Sequence, residues 1–310
     1  MDLRHEGPVV APSASQGSSS MFNIGILLRR TITLMKPVTW FAASWAFLCG
    51  AVASGAVAWS FDSVGRLLLG VIMAGPILCG LSQIVNDYCD REVDAINEPH
   101  RLIPSGLVSM RHIWIITLLL TWLGSMIALW LGPEVALFVG IGFLFAVSYS
   151  MKPFRAKRNG WIGNALVSFS YEGLAWVAGH AALAALSWQS ALLAFFYSLG
   201  AHGIMTVNDF KSIEGDTRMG IRSIPVQYGK QKAAWMVVFT MALAQIAVII
   251  ALFLWGNPVA AGVVLTLLLV QIVPFVRFIR DPENNAVFFN ATAIMLFVWG
   301  MLAAAIGLAG

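Results

Sequence analysis

The sequence predicts an all-α, polytopic integral membrane protein with nine transmembrane helices, and three observations carry that prediction. The first is composition. Of 310 residues, 59% are hydrophobic and only 11% are charged, with a mean hydropathy of +0.79, whereas soluble chains carry roughly 25% charged residues. Nineteen basic and fifteen acidic side chains cannot cover a water-facing surface of this size. Secreted, cytosolic and nucleic-acid-binding proteins are thereby excluded, and the lipid bilayer is the expected surrounding. The second observation is nine stretches, uncharged or nearly so, that approach the ~20 residues needed to cross ~30 Å of hydrocarbon. The third is charge placement. If the loops alternate sides, 18 of the 19 Lys and Arg fall on one side and Arg66 alone on the other. This positive-inside pattern makes the N-terminus and the long loops cytoplasmic and puts the C-terminus outside.

In chain order, residues 1–22 are rich in Ser, Ala, Pro and Gly and lack the apolar run of a signal peptide, so they are expected to form a disordered cytoplasmic tail. Residues 23–310 are expected to form a single transmembrane domain. The spans fall near 38–58, 67–85, 113–132, 135–151, 161–183, 191–207, 233–255, 258–276 and 286–308, the fourth and sixth being short. The seventh and eighth are separated by Gly256, Asn257 and Pro258, a turn sequence. The connections on the Arg66 side are too short to hold a site. Cys49, Cys79 and Cys89 are isolated, so neither a disulfide framework nor a zinc site is implied.

The polar loops lie on the cytoplasmic side, at 86–112 and 208–232, with a shorter basic loop at 152–160. The two long loops resemble one another. Each opens with Asn-Asp directly after a span (Asn86-Asp87 and Asn208-Asp209), and each has an Arg thirteen or fourteen residues after that Asp (Arg101 and Arg222), followed by x-x-Pro. The Asn-Asp pairs are four spans apart, and an even number of spans places both on one face. The pattern predicts two parallel four-helix pseudo-repeats plus a ninth helix around a central cavity.

The chemistry follows from residue types. Asp87, Asp90 and Asp94 are spaced by three and four, so they share a face if the second span stays helical past Val85. Three carboxylates on one face repel unless a hard cation bridges them, and Mg²⁺ prefers one or two carboxylates plus phosphate oxygens. Asp209, Glu214 and Asp216 supply a second acidic group. Two facing acidic groups make a two-metal diphosphate clamp, with Asn86, Asp87, Asp90, Asp94, Asp209 and Asp216 as candidate metal ligands. Arg91, Arg101, Lys152, Arg155 and Arg222 are at hand for the remaining phosphate charge. The bland alternative is that Asn and Asp are ordinary helix-end residues and that loops carry charge because they meet water. Two matched loops and an intervening basic loop, on a chain otherwise so poor in charge, weigh against it.

The run NDxxDxxxD from Asn86, followed by NEPxRxIPSG, resembles the signature of the UbiA superfamily of intramembrane prenyltransferases, and the nine spans match that family throughout. Within it, DAINEPHRLIPSG, the NGWIGN run at 159–164 and NDFKSIEGD are similar to the chlorophyll and bacteriochlorophyll synthase branch. Cys89 and the SYEGLAW run at 170–176 most resemble its bacteriochlorophyll-forming members. The resemblance implies Mg²⁺-dependent esterification of the propionate of bacteriochlorophyllide by geranylgeranyl or phytyl diphosphate, the last step of bacteriochlorophyll synthesis. It further implies a bacterial inner or intracytoplasmic photosynthetic membrane, and it leaves room for association with other pigment-synthesis enzymes. Asp87, Asp90, Asp94, Asp209, Asp216 and Arg101 would be the catalytic set. Related aromatic prenyltransferases have an Asp where Ser212 stands, so the second metal would lean on Asp209 and Asp216.

An ionised propionate needs no general base, in agreement with loops that hold no Ser/His/Asp arrangement. Tyr149, Tyr171, Glu172 and His202 are the candidates for lining the pigment cavity, the tyrosines as aromatic faces toward developing positive charge and Glu172 as an intramembrane ionisable group. His202 and His180 are candidate axial ligands of a chlorin magnesium, although a lone intramembrane His more often bonds a neighbouring helix. The alternatives are a chlorophyllide acceptor, a quinone or haem acceptor on the same clamp, and, from another class, an ion-coupled transporter. The last would carry its ionisable residues at midplane, where this chain has few.

Overall fold

A computed structural model describes residues 17–310, with side chains from Ile24 onward. Residues 1–16 of the expected tail lie outside the described residues. The first helix, α1 (Gly17–Leu34), already begins at Gly17 and so takes in the last residues of that tail. It runs beside the first polar loop, where Arg30 donates to the Leu107 carbonyl at 2.7 Å and Thr31 Oγ1 lies 2.7 Å from His112 Nε2. Lys36, with φ 47, interrupts the helix, and Pro37 opens a short 3-10 turn that leads into α2 (Trp40–Ala53).

The next helix, α3 (Phe61–Asn97), starts on a Ser60 side chain that accepts from the Ser63 amide, and it continues for 37 residues. At 1.5 Å per residue that is about 55 Å, well beyond the hydrocarbon thickness. Its last three turns therefore project from the membrane and carry the first acidic motif, as the spacing of Asp87, Asp90 and Asp94 predicts. Pro76 lacks an amide donor, and the helix absorbs it by widening into a π turn at Met73–Cys79. Then come α4 (Met110–Leu131), capped by Ser109, and α5 (Pro133–Ser150), separated by Gly132 alone.

The segment 160–181, α6, is continuous but has a π turn at Phe169–Leu174 between Gly160–Ser168 and Ala175–Ala181. It is followed by α7 (Trp188–Asp209), two short helices α8 (Ile213–Arg218) and α9 (Ile224–Tyr228), then α10 (Lys230–Leu254) and α11 (Pro258–Arg280). The chain closes with α12 (Pro282–Ala309), which holds a third π turn at Asn290–Ile294. Gly256 at φ 83 makes the expected turn between α10 and α11. The protein is an integral membrane protein: among the described residues, eight helical segments are long and apolar enough to cross a membrane. The expected span at 161–183 is helical too, but Ser168, Ser170, Tyr171, Glu172 and Gly173 dilute its apolar character, and it is not one of the eight.

With the hydrophobic effect largely absent between helices in lipid, close packing of small residues decides how they cross. A Cβ on Gly50 would come within 1.9 Å of the Trp176 carbonyl oxygen, and one on Gly179 within 2.0 Å of the Phe47 carbonyl oxygen, so α2 and α6 touch backbone to backbone. Helix α10 packs along α7 and α11, while α12 lies against α11 and returns to α2. There the Trp45 indole donates to the Val298 carbonyl at 2.9 Å. The ninth expected span thus joins the end of the bundle to its beginning.

Candidate diphosphate and metal site

The projecting end of α3 holds three carboxylates, and each is met by a cation from a different element. Lys36 Nζ lies 2.7 Å from Asp87 Oδ1. Lys157 Nζ lies 2.6 Å from both oxygens of Asp90 and 2.9 Å from Asn86 Oδ1, with Arg155 Nη2 adding a contact to Asp90 at 2.9 Å. Arg101 reaches Asp94 at 3.0 Å and also bonds Glu98. Asp87 and Asp94 are both buried. Desolvation works against the charge on Arg101, and the Glu98 and Asp94 carboxylates outweigh it, holding the guanidinium above its ordinary pKa.

The basic loop reaches α3 because its backbone is bent to do so. Arg155 adopts φ 41, and a 3-10 turn at Ala156–Arg158 follows. Asn159 then caps α6 by accepting from the amides of Trp161 and Ile162. Left-handed conformations are uncommon away from glycine, and the two non-glycine residues with positive φ among the described residues are Lys36 and Arg155, both ion-paired to the first motif.

The second acidic loop meets this assembly through its main chain. The Gly160 amide donates to the Arg222 carbonyl at 2.8 Å, and the Arg222 amide donates to the Arg158 carbonyl at 2.9 Å. Met219 joins all three loops, its carbonyl accepting from Arg158 and its sulfur from Asn97 Nδ2 at 3.0 Å. Asp209 ends α7 with Oδ2 enclosed and unpartnered, and the Asn164 amide sits between it and Thr206. Asp216 accepts from Ser212 Oγ at 3.1 Å, so the serine orients the acid that remains. Tyr149 sits near the end of α5 with its ring edge against Gly163 of α6.

Not every sequence candidate joins this group. Arg91 stands 100° around the helix from Asp90, stacks over Tyr88 and bonds the Tyr88 carbonyl and Glu92. Lys152 and Arg222 have exposed side chains and take part in none of the ion pairs among the described residues. Glu214 pairs with Arg218 at the surface. His202 is bonded to the Trp161 carbonyl at 3.1 Å and stacked on the Trp161 ring, and His180 serves the Ala185 to Ser187 turn through Nε2. Lys36 and Lys157 are the residues the sequence reading missed. A Lys-Pro step at the entrance to the first span, and four cations within seven residues at 152–158, were the available signals.

Comparison with known proteins bears on the family and the fold. The model of the UbiA prenyltransferase family matches residues 39–302. The chain belongs to the UbiA prenyltransferase family. Over 282 residues the prenyltransferase is 73% identical to the bacteriochlorophyll synthase 34 kDa chain of Chloroflexus aurantiacus, covering 91% of each chain. It is 38% identical to the chloroplastic chlorophyll synthase of Oryza sativa subsp. japonica, over 96% of this chain and 84% of the relative. Among solved structures, a UbiA homolog from Archaeoglobus fulgidus bound to GPP and Mg²⁺ superimposes with a TM-score of 0.67 at 17% identity, covering 89% of this chain and 99% of the other, which establishes the shared fold.

Proposed function

We propose that this prenyltransferase esterifies the propionate carboxylate of bacteriochlorophyllide with a geranylgeranyl or phytyl chain, taken from the prenyl diphosphate at a Mg²⁺-dependent clamp on the cytoplasmic face of a bacterial inner membrane. The observation that carries the reading is the 73% identity to a bacteriochlorophyll synthase chain over 91% of both sequences, joined to a set of acids and bases whose chemistry suits a diphosphate.

The residues fit a hard cation. Asn86, Asp87, Asp90, Asp94, Asp209 and Asp216 offer only oxygen, and the enclosed, unpartnered Oδ2 of Asp209 is a donor in want of a positive partner. No three of the described acids, histidines or cysteines gather into a protein-only cage, in keeping with an ion that completes its shell with phosphate oxygens. When bound, Mg²⁺ supplies charge neutralisation at the leaving diphosphate.

The chain's own groups do the rest. Lys36, Arg101, Arg155 and Lys157 are pre-oriented by the carboxylates they pair with and present N–H donors to phosphate oxygens as negative charge accumulates there. The bond between the allylic carbon and the diphosphate oxygen breaks, and its electron pair leaves with diphosphate. A propionate oxygen forms the new bond to that carbon, and no proton is transferred. Tyr149 and Tyr171 supply aromatic faces near the carbon on which positive charge develops. The half-buried Tyr171 holds its ring by hydroxyl contacts to Ser82 at 3.1 Å and Gln83 at 3.2 Å.

The test is incubation of the purified protein with bacteriochlorophyllide, chlorophyllide, geranylgeranyl diphosphate and Mg²⁺, with products identified by mass. The expected product is the geranylgeranyl ester, formed preferentially from bacteriochlorophyllide. Preference for chlorophyllide would move the protein to the oxygenic branch, and prenylation of a hydroxybenzoate in place of either pigment would overturn the reading.

A further inference from the structure

Glu172 lies midway along α6, belongs to neither acidic loop and takes no part in the mechanism above. It is 8% exposed, its Oε2 is enclosed without a hydrogen-bond partner, and it enters none of the ion pairs among the described residues. Burial without a counter-ion favours the neutral form of a carboxyl group, which carries one O–H donor. Buried polar groups without partners are rare, and an intramembrane acid left in that state marks a function more often than a defect.

Its surroundings point to what it serves. The π turn at Phe169–Leu174 carries both Tyr171 and Glu172. The Tyr171 hydroxyl reaches Ser82 and Gln83 on α3, and Glu172 follows it directly on the same turn. Gln83 lies one helical turn, about 6 Å, on the membrane side of Asp87. Through Tyr171, the turn that carries the acid is thus held on the membrane side of the first acidic motif, the side from which the propionate of a membrane-embedded acceptor would approach an allylic carbon held at the clamp. Bacteriochlorophyllide a carries an acetyl group, with an oxygen that accepts a hydrogen bond, at the ring position where chlorophyllide a carries a vinyl group that accepts none.

We propose that Glu172 donates a hydrogen bond to the acetyl oxygen of bacteriochlorophyllide a and is thereby the residue that distinguishes the two pigments. The proposal rests on the pigment reading given above. A pocket built around a hydrogen bond discriminates against an analogue that lacks the partner far better than shape alone can.

The experiment compares the full-length protein with Glu172→Gln, which keeps an N–H donor, and Glu172→Leu, which has none. Acceptors are bacteriochlorophyllide a, chlorophyllide a and 3-acetyl chlorophyllide a, the last separating the acetyl group from ring saturation. The ratio of kcat/KM for acetyl over vinyl acceptors should fall about tenfold to hundredfold in Glu172→Leu and stay near wild type in Glu172→Gln. In resonance Raman spectra of the bound pigment, the acetyl C=O stretch should be lowered in the wild-type complex and return to its unbonded position in Glu172→Leu. An unshifted stretch in the wild-type complex overturns the proposal even if Glu172→Leu does not fold, and so does an equal loss toward all three acceptors. If the wild-type protein esterified none of these pigments, the pigment reading itself would fall, an outcome distinct from esterification without the spectral shift.

Discussion

Lys157 offers the sharpest test of the clamp, because its ammonium group touches both oxygens of Asp90 at 2.6 Å and its side chain is only 13% exposed. At that separation and an effective dielectric constant of about 20, the gross attraction is about 6 kcal/mol. Desolvation of both partners offsets much of it, and Arg155 still holds one Asp90 oxygen after Lys157 is removed, so the net loss in Lys157→Met should be about 1.5–3 kcal/mol. If that interaction is handed from Asp90 to the diphosphate during the reaction, affinity for a non-reacting prenyl thiodiphosphate should fall roughly tenfold to hundredfold. Half-saturation by Mg²⁺ should move the other way, because Asp90 is freed from a competing cation. Calorimetric titration of the analogue, with and without Mg²⁺, reads both quantities, and quenching of tryptophan fluorescence by pigment supplies a control that should not move. Unchanged analogue affinity in folded Lys157→Met would show that the lysine only neutralises Asp90, and the assignment of the basic loop to phosphate would be refuted.

Other expectations follow from the same geometry. Asp90→Ala and Asp216→Ala should each lower turnover by orders of magnitude, and near-wild-type rates for either in folded protein would remove its loop from the clamp. Arg101→Lys loses the fork that joins Asp94 and Glu98 and should weaken prenyl diphosphate binding with little effect on pigment binding; a fall in pigment affinity instead would place this loop elsewhere in the reaction. Gly179→Ala puts a methyl group within 2.0 Å of the Phe47 carbonyl oxygen, which α2 and α6 can relieve only by separating. A destabilisation of about 1–3 kcal/mol is expected, measured as a lowered Tm in detergent, and an unchanged Tm would mean that the crossing yields without strain.

Much of this was readable in advance, and the failures have physical causes. The three-and-four spacing of Asp87, Asp90 and Asp94 encodes a helix face, and α3 does remain helical to Asn97. The sequence reading counts Arg91 among the phosphate bases although the same periodicity tells against it, since a residue adjacent to Asp90 in sequence points about 100° away from it. Lys157 could not be chosen over Lys152 by composition, because the choice is made by the backbone at Arg155, whose φ of 41 leaves no mark in a sequence without glycine there. Of the helix widenings, the one at Met73–Cys79 is announced by Pro76, whereas Phe169–Leu174 and Asn290–Ile294 contain no proline and arise from packing. His202 illustrates the ordinary fate of an intramembrane histidine, bonded to the carbonyl of a neighbouring helix.

The main-chain pairing of Arg158 and Gly160 with Arg222 bears on how the molecule is assembled. Asp90 comes from α3, but the loop whose lysine holds it is tethered through backbone amides and carbonyls to the second acidic loop. Charge balance at Asp90 is thus completed by a loop whose main chain is tied to the second acidic loop. A gene cut between α5 and α6 would yield two fragments, each with mismatched charge at its polar face. Co-expression would restore the match only where the fragments reassemble in register, so the backbone pairing acts as an alignment key between the two fragments. That key needs bare backbone at Gly160, where a Cβ would come within 2.7 Å of the Ile224 amide nitrogen.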